Sequence, residues 1–138
     1  AAGEPGQCLR LAEAYLNRAE AYSRLTGKQS DALADLNTLR KHRIMDYRDV
    51  SITDPTALLD TIRKERRLEL CYEGHRWFDL RRYGMPRFER RWVELGVNLG
   101  KYVMEEGDAA YTLPIPVNVI ERNSALTQNK LTTEKTLQ

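Results

Sequence analysis

The residues best equipped for chemistry crowd into one stretch, Arg63-Lys64-Glu65-Arg66-Arg67-Leu68-Glu69-Leu70-Cys71-Tyr72-Glu73-Gly74-His75-Arg76-Trp77-Phe78-Asp79-Leu80-Arg81-Arg82-Tyr83-Gly84. Acids and arginines alternate there with aromatics. On a helix Glu65, Glu69 and Glu73 fall at i, i+4 and i+8, one above another, and Arg66 follows Ile62 onto the face that apolar residues begin. Charge therefore stands where core is expected. Arginine suits such a place, because its planar fork satisfies carboxylates bidentately while its stem packs on rings. One reading is a polar binding groove lined by Arg66, Glu69, Glu73, Arg76 and Asp79. The other, which we expect, is a structural ion network of Arg66, Glu69, Glu73, Arg76, Asp79 and Arg82 that fixes helix packing. On that reading Glu69→Gln or Glu73→Gln destabilises by about 3 to 5 kcal/mol if it strands a buried arginine.

Other chemistry fits less well. Glu69, Glu73 and Asp79 offer carboxylates for glycoside cleavage, but the general acid of such a pair needs a raised pKa, and arginine neighbours hold these groups ionised. No catalytic residue is assigned. His42 and His75 lie far apart without a His-Glu-x-x-His spacing, so no metal site is expected. There is no Gly-x-Ser-x-Gly, phosphate-binding glycine loop or dinucleotide fingerprint, and no cofactor is implied. Cys8 and Cys71 lack a Cys-x-x-Cys spacing and read as small buried thiols. Arg76, Trp77, Phe78, Arg81, Arg82, Tyr83, Arg87, Phe88, Arg90, Arg91 and Trp92 interleave bases with rings, as in single-strand nucleic-acid binders. The intervening Glu65, Glu69, Glu73, Asp79 and Glu89 break that pattern, and the net charge is only +2, from 22 Lys plus Arg against 20 Asp plus Glu. A nucleic-acid partner is not expected. Trp92 and Tyr102 are the candidate ligand-binding residues: they offer flat faces to sugar rings or to a partner surface, against the plainer alternative of partial burial under a long loop.

Helices must position these residues. The chain has 138 residues, 41% hydrophobic and 30% charged, which suits a single soluble domain over 1–138, with residues 1–7 as a leader or boundary and 124–138 as a tail. No run approaches the ~18 apolar residues of a spanning helix, and Ala1 to Gln7 has no signal-peptide pattern. From Leu9, Ala12, Tyr15, Leu16, Ala19 and Tyr22 recur with helical period up to Thr26-Gly27. Ser30 or Asp31 caps a second helix carrying Ala32, Leu33, Leu36 and Leu39 to about Arg43, and the short connection predicts an antiparallel hairpin. Asp54-Pro55 starts a third helix from about Thr56 to Glu73, which Gly74 breaks or bends before His75 to Arg82. Pro86 to Ala110 reads as loop with at most short helix or strand. Tyr111 to Pro116 is held extended by its prolines, Val117 to Arg122 forms a helical turn, and the tail from Asn123 is pinned only at its start.

Three blocks resemble the SusD/RagB nutrient-binding proteins of the Bacteroidetes outer membrane. Leu9 to Tyr22 with Ala32 to Arg43 is similar to the family's last tetratricopeptide-type hairpin and its Leu-Asn-x-Leu-Arg ending. Glu65-Arg66-Arg67-Leu68-Glu69-Leu70 and Glu73-Gly74-His75-Arg76-Trp77-Phe78-Asp79-Leu80-Arg81-Arg82 resemble its most recognisable motif. Leu113-Pro114-Ile115-Pro116, Glu121-Arg122-Asn123 and Leu126-Thr127-Gln128-Asn129 resemble its closing motif, with Asn123-Ser124 and Asn129-Lys130 as departures. The resemblance implies a mainly α fold, a tetratricopeptide-type hairpin packed on a long motif helix with an irregular extended C-terminal segment. It further implies the C-terminal part of a surface-exposed, non-enzymatic outer-membrane lipoprotein that binds glycan or peptide and hands it to a SusC-like TonB-dependent transporter. Its lipid anchor is expected to lie outside this chain. The family's ligand contacts come largely from other parts, so no binding residue is carried over. The rival reading is a stand-alone helical-repeat adaptor that docks a partner protein on the open face of its hairpin.

Overall fold

The computed structural model describes residues 10–131, so residues 1–7, Cys8 and the tail beyond Leu131 lie outside the described residues. The chain divides into two compact units, residues 1–76 and 77–138. Most of the regular structure is helical, and no helix among the described residues is long and apolar enough to cross a membrane.

In the first unit, α1 (Leu11–Ser23) and α2 (Gln29–Lys41) form a hairpin whose connection turns at Gly27, φ +77°. Each buries one stripe: Ala12, Leu16 and Ala19 on α1, Ala32, Leu36 and Leu39 on α2. Ala19 and Ala32 are both fully buried, and small residues at such positions let helix backbones approach closely. α2 begins one residue before Ser30. Lys28 is its N-cap with no side-chain cap, correcting the expected Ser30 or Asp31, and Asp31 instead accepts from Lys28 Nζ at 2.8 Å in the first turn.

α3 (Pro55–Glu69) starts as its sequence dictates. Asp54 Oδ2 accepts the Ala57 amide at 2.6 Å, and Pro55 takes the position that needs no donor. Leu58 and Ile62 complete a core with Ala19, Ala32 and Leu36, and Tyr22, Leu33 and Ile52 pack at its margin. The helix ends at Glu69, four residues earlier than expected. Tyr72 and Gly74 take left-handed φ of +64° and +79° before α4 (His75–Arg82) resumes. Cys71 lies in this turn and is exposed, so the expected buried thiol is corrected: outside the helix its side chain has no packed face to enter.

The second unit is built around Tyr111, which is fully buried at the end of a 3₁₀ turn, Ala109–Tyr111. Trp77 stacks on its ring at 5.3 Å, Phe88 meets it edge-on at 6.2 Å, and its hydroxyl donates to the Pro86 carbonyl at 2.5 Å. The segment expected as loop is a β-hairpin of β1 (Phe88–Glu94) and β2 (Val97–Met104), paired antiparallel. Its two-residue turn, Leu95-Gly96, has φ of +48° and +82°, the mirror-image turn that suits strand twist. The segment 113–116 is irregular and α5 (Val117–Arg122) follows. The tail is pinned well beyond its start. Gln128 exchanges two hydrogen bonds with the Ile115 backbone, at 2.8 and 2.9 Å, and Asn129 Nδ2 donates to the Leu113 carbonyl at 2.9 Å.

Between α2 and α3 the chain is held by one buried amide. Asn37 Oδ1 accepts from Tyr47 Oη at 2.7 Å and from the Val50 amide at 3.1 Å, and its Nδ2 donates to the Val50 carbonyl at 3.1 Å. Asn37→Ala leaves the Val50 groups without these partners and is expected to cost about 2 to 3 kcal/mol, against about 1 kcal/mol for Tyr47→Phe. Urea unfolding midpoints check both, and an unchanged midpoint in Asn37→Ala contradicts this role.

Candidate functional site

Glu65, Glu69 and Glu73 each meet an arginine of the α1–α2 hairpin or of the residues that flank it. Glu65 Oε2 accepts from Arg40 Nε at 2.8 Å and lies 2.8 Å from Arg40 Nη2. Glu69 accepts from Arg43 Nη2 at 2.8 Å and Nε at 3.0 Å, and lies 3.3 Å from Arg10 Nη1. Arg10 also donates to the Glu69 carbonyl at 2.7 Å and to Glu73 at 3.0 Å. Arg66, almost fully buried, reaches the other way. It donates to Asn17 Oδ1 at 2.8 Å and lies 3.6 Å from Glu13 Oε1, which His75 Nδ1 also approaches at 3.8 Å. A separate bidentate pair, Arg18 to Asp35 at 2.8 and 2.7 Å, ties α1 to α2.

Of the block singled out in the sequence, Arg66, Glu69, Glu73 and the half-buried Arg76 belong to the first unit, and Asp79 and Arg82 to the second. Asp79 is buried and accepts from Arg82 Nε at 3.1 Å. Sequence reasoning missed the decisive partners Arg10, Arg40, Arg43 and Glu13. Arg40 closes the Leu36-Asn37-Thr38-Leu39-Arg40 ending, but a cation in the last turn of a helix serves the dipole equally well, so its spacing alone named no partner.

The electrostatics suit holding rather than proton transfer. Arg43's hydrogen bonds keep the Glu69 carboxyl below the ordinary glutamate value, outweighing the burial that pushes it up. A glycosidase acid needs the opposite shift. Among the described residues no group of three His, Cys, Asp or Glu is placed to hold a metal.

Trp92 and Tyr102 stand elsewhere, on the hairpin of the second unit. They are not covered by a loop: Trp92 is 50% exposed and Tyr102 40%. Their rings meet edge-to-face, centroids 6.5 Å apart and planes at 86°. Arg90 pairs in register with Tyr102 and rests its guanidinium over the Phe88 ring at 5.0 Å. Nearer the turn, Val93, Leu95, Val97 and Leu99 are all exposed, Leu95 almost entirely.

The family question is decided by the sequence profile of the SusD family, which matches residues 3–131. The chain belongs to the SusD family. It is 36% identical over 127 residues to the starch-binding protein SusD of Bacteroides thetaiotaomicron, covering 88% of this chain and 20% of that protein. To SusD-like protein P2 of Formosa agariphila it is 29% identical over 129 residues, 88% of this chain and 24% of that one. The crystal structure of a SusD-like protein from Bacteroides fragilis superposes with a TM-score of 0.65 at 32% identity, over 88% of this chain and 25% of that chain. The chain thus spans about a fifth to a quarter of the length of these SusD-family relatives. Both the acid ladder and the aromatic hairpin fall inside the SusD-family match.

The geometry revises the expected cost of losing Glu69. Its carboxylate is 9% exposed, but Arg43 and Arg10 are 45% and 32% exposed, so water can take over when the acid is neutralised. Glu69→Gln is therefore expected to cost about 1 kcal/mol at pH 7, not the 3 to 5 of a stranded buried cation. A lowered folded pKa contributes stability that is present above the unfolded value, about 4.3, and lost as pH falls through the folded one. The stability gap between wild type and Glu69→Gln should accordingly be full at pH 7 and close in that acid window. A gap that persists at lower pH contradicts the pairing.

Proposed function

We propose that this chain is part of a non-catalytic nutrient-binding protein at the outer membrane surface. It captures a glycan, with peptide as the other ligand class, and hands it to a SusC-like TonB-dependent transporter. One observation carries the reading: nearly the whole chain aligns at 36% identity with a protein named for binding starch. The site chemistry supports capture over cleavage. The ladder carboxylates are engaged by arginines, and the Glu69 pKa is shifted away from what a general acid requires. In this reading the charged block of Arg66, Glu69, Glu73, Arg76, Asp79 and Arg82 is scaffold, and ligand is held by other surfaces. A lipid anchor keeps the protein at the cell surface beside its transporter.

Calorimetric titration of the intact protein with maltoheptaose, with xylohexaose and laminarihexaose beside it, tests capture, and chromatography of the sugar afterwards tests cleavage. Saturable binding of at least one oligosaccharide, recovered at its original length, is expected. Release of shorter sugars, or no binding by any of the three, overturns the proposal.

A further inference from the structure

We infer that the Trp92–Tyr102 face of the β-hairpin is a sugar-ring platform, a subsite that stacks one pyranose unit of a glycan chain. The inference rests on the glycan-binding reading above and gives it a location and a set of contacts.

The register builds the platform. Phe88, Arg90 and Trp92 alternate onto one face of β1, and Gly100, Tyr102 and Met104 stand opposite them on β2. Trp92 is therefore paired with the one residue that has no side chain. Gly100 has φ +131°, a conformation that L side chains rarely adopt, so backbone geometry itself keeps that position vacant. The register slips directly after this pair, since Val93 faces Asn98 and Leu99 is left as the extra residue on β2, and such bulges bend the strand that carries them and increase the local twist. With nothing directly across, the indole meets Tyr102 on the diagonal, within aromatic reach.

The result is a corner of two nearly perpendicular rings, half and two-fifths exposed. Packing does not demand this exposure, since the same unit buries Tyr111 completely between Trp77 and Phe88. Pyranose chemistry fits such a corner. A sugar ring presents C–H groups on its flat faces and hydroxyls around its rim. Stacked on Trp92, it buries the C–H face against the indole, while rim hydroxyls meet the Tyr102 hydroxyl and the fork of Arg90 on the same face. Arg90 is pre-positioned for this by its rest on the Phe88 ring.

Titration of the intact protein with maltoheptaose, xylohexaose and laminarihexaose, followed by tryptophan fluorescence and calorimetry, tests the platform. Trp92→Ala and Tyr102→Ala are each expected to weaken binding by about tenfold or more. Trp92→Phe, which keeps a ring, should bind better than Trp92→Ala yet lose the saturable emission change that wild type shows. Arg90→Met, which leaves both rings in place, should weaken binding by a smaller factor. The three substituted side chains, Trp92, Tyr102 and Arg90, are all exposed, so circular dichroism and melting temperature should stay unchanged in the four variants. If a glycan binds wild type, Trp92→Ala and Tyr102→Ala equally, the platform is overturned and capture stands. If no oligosaccharide binds wild type, both readings fall.

Discussion

Three carboxylates spaced four residues apart, Glu65, Glu69 and Glu73, cannot sit beside a packed helix without counter-charges, and meeting that demand fixes how the first unit is assembled. The arginines that answer them come from three places: Arg40 near the end of α2, Arg43 just after it, and Arg10 just before α1. The ladder therefore grips the open end of the hairpin, while Ala19, Ala32, Leu36, Leu58 and Ile62 fill the middle. Apolar burial supplies most of the driving force, and it is non-directional. The ion pairs add registry, because a bidentate fork tolerates little sliding between helices.

The same arrangement explains why a segment rich in acids and arginines is chemically quiet. Glu69 is held ionised by Arg43, and Glu65 is engaged by the Arg40 guanidinium through one hydrogen bond and one ion-pair contact. In the second unit a two-stranded ribbon carries aromatic and aliphatic side chains into solvent. Such a ribbon has little core of its own, and Val103 is its only buried residue among those described. Exposed rings on a small ribbon cost stability unless something meets them.

Much of the helical part was legible from the residues. The stripes of Ala12, Leu16 and Ala19 and of Ala32, Leu36 and Leu39, the Asp54-Pro55 start and the turn at Val117 to Arg122 each carry a local signal, and local signals survive folding. The hairpin was not legible for a physical reason. Both its faces are largely solvated, so Glu89-Arg90-Arg91-Trp92-Val93 lacks the apolar alternation that marks a strand, and Leu95-Gly96 is not the asparagine-glycine pair that marks a tight turn. The early end of α3 was hidden because Tyr72 rarely takes a left-handed conformation. For the candidate site, the acids and the two aromatics were visible as residue types. Their partners were not, since Arg10, Arg40 and Arg43 become neighbours of the ladder only once the hairpin folds onto α3.

The central claim is that the ladder is a clamp between α3 and the hairpin, and its least exposed pair is Arg40 with Glu65. A double-mutant cycle of Arg40→Met and Glu65→Gln, read by chemical unfolding, measures that pair directly. The account predicts a coupling energy of about 2 kcal/mol, with the double variant more stable than the sum of the single losses implies. Additive losses, with no coupling beyond a few tenths of a kcal/mol, would contradict it.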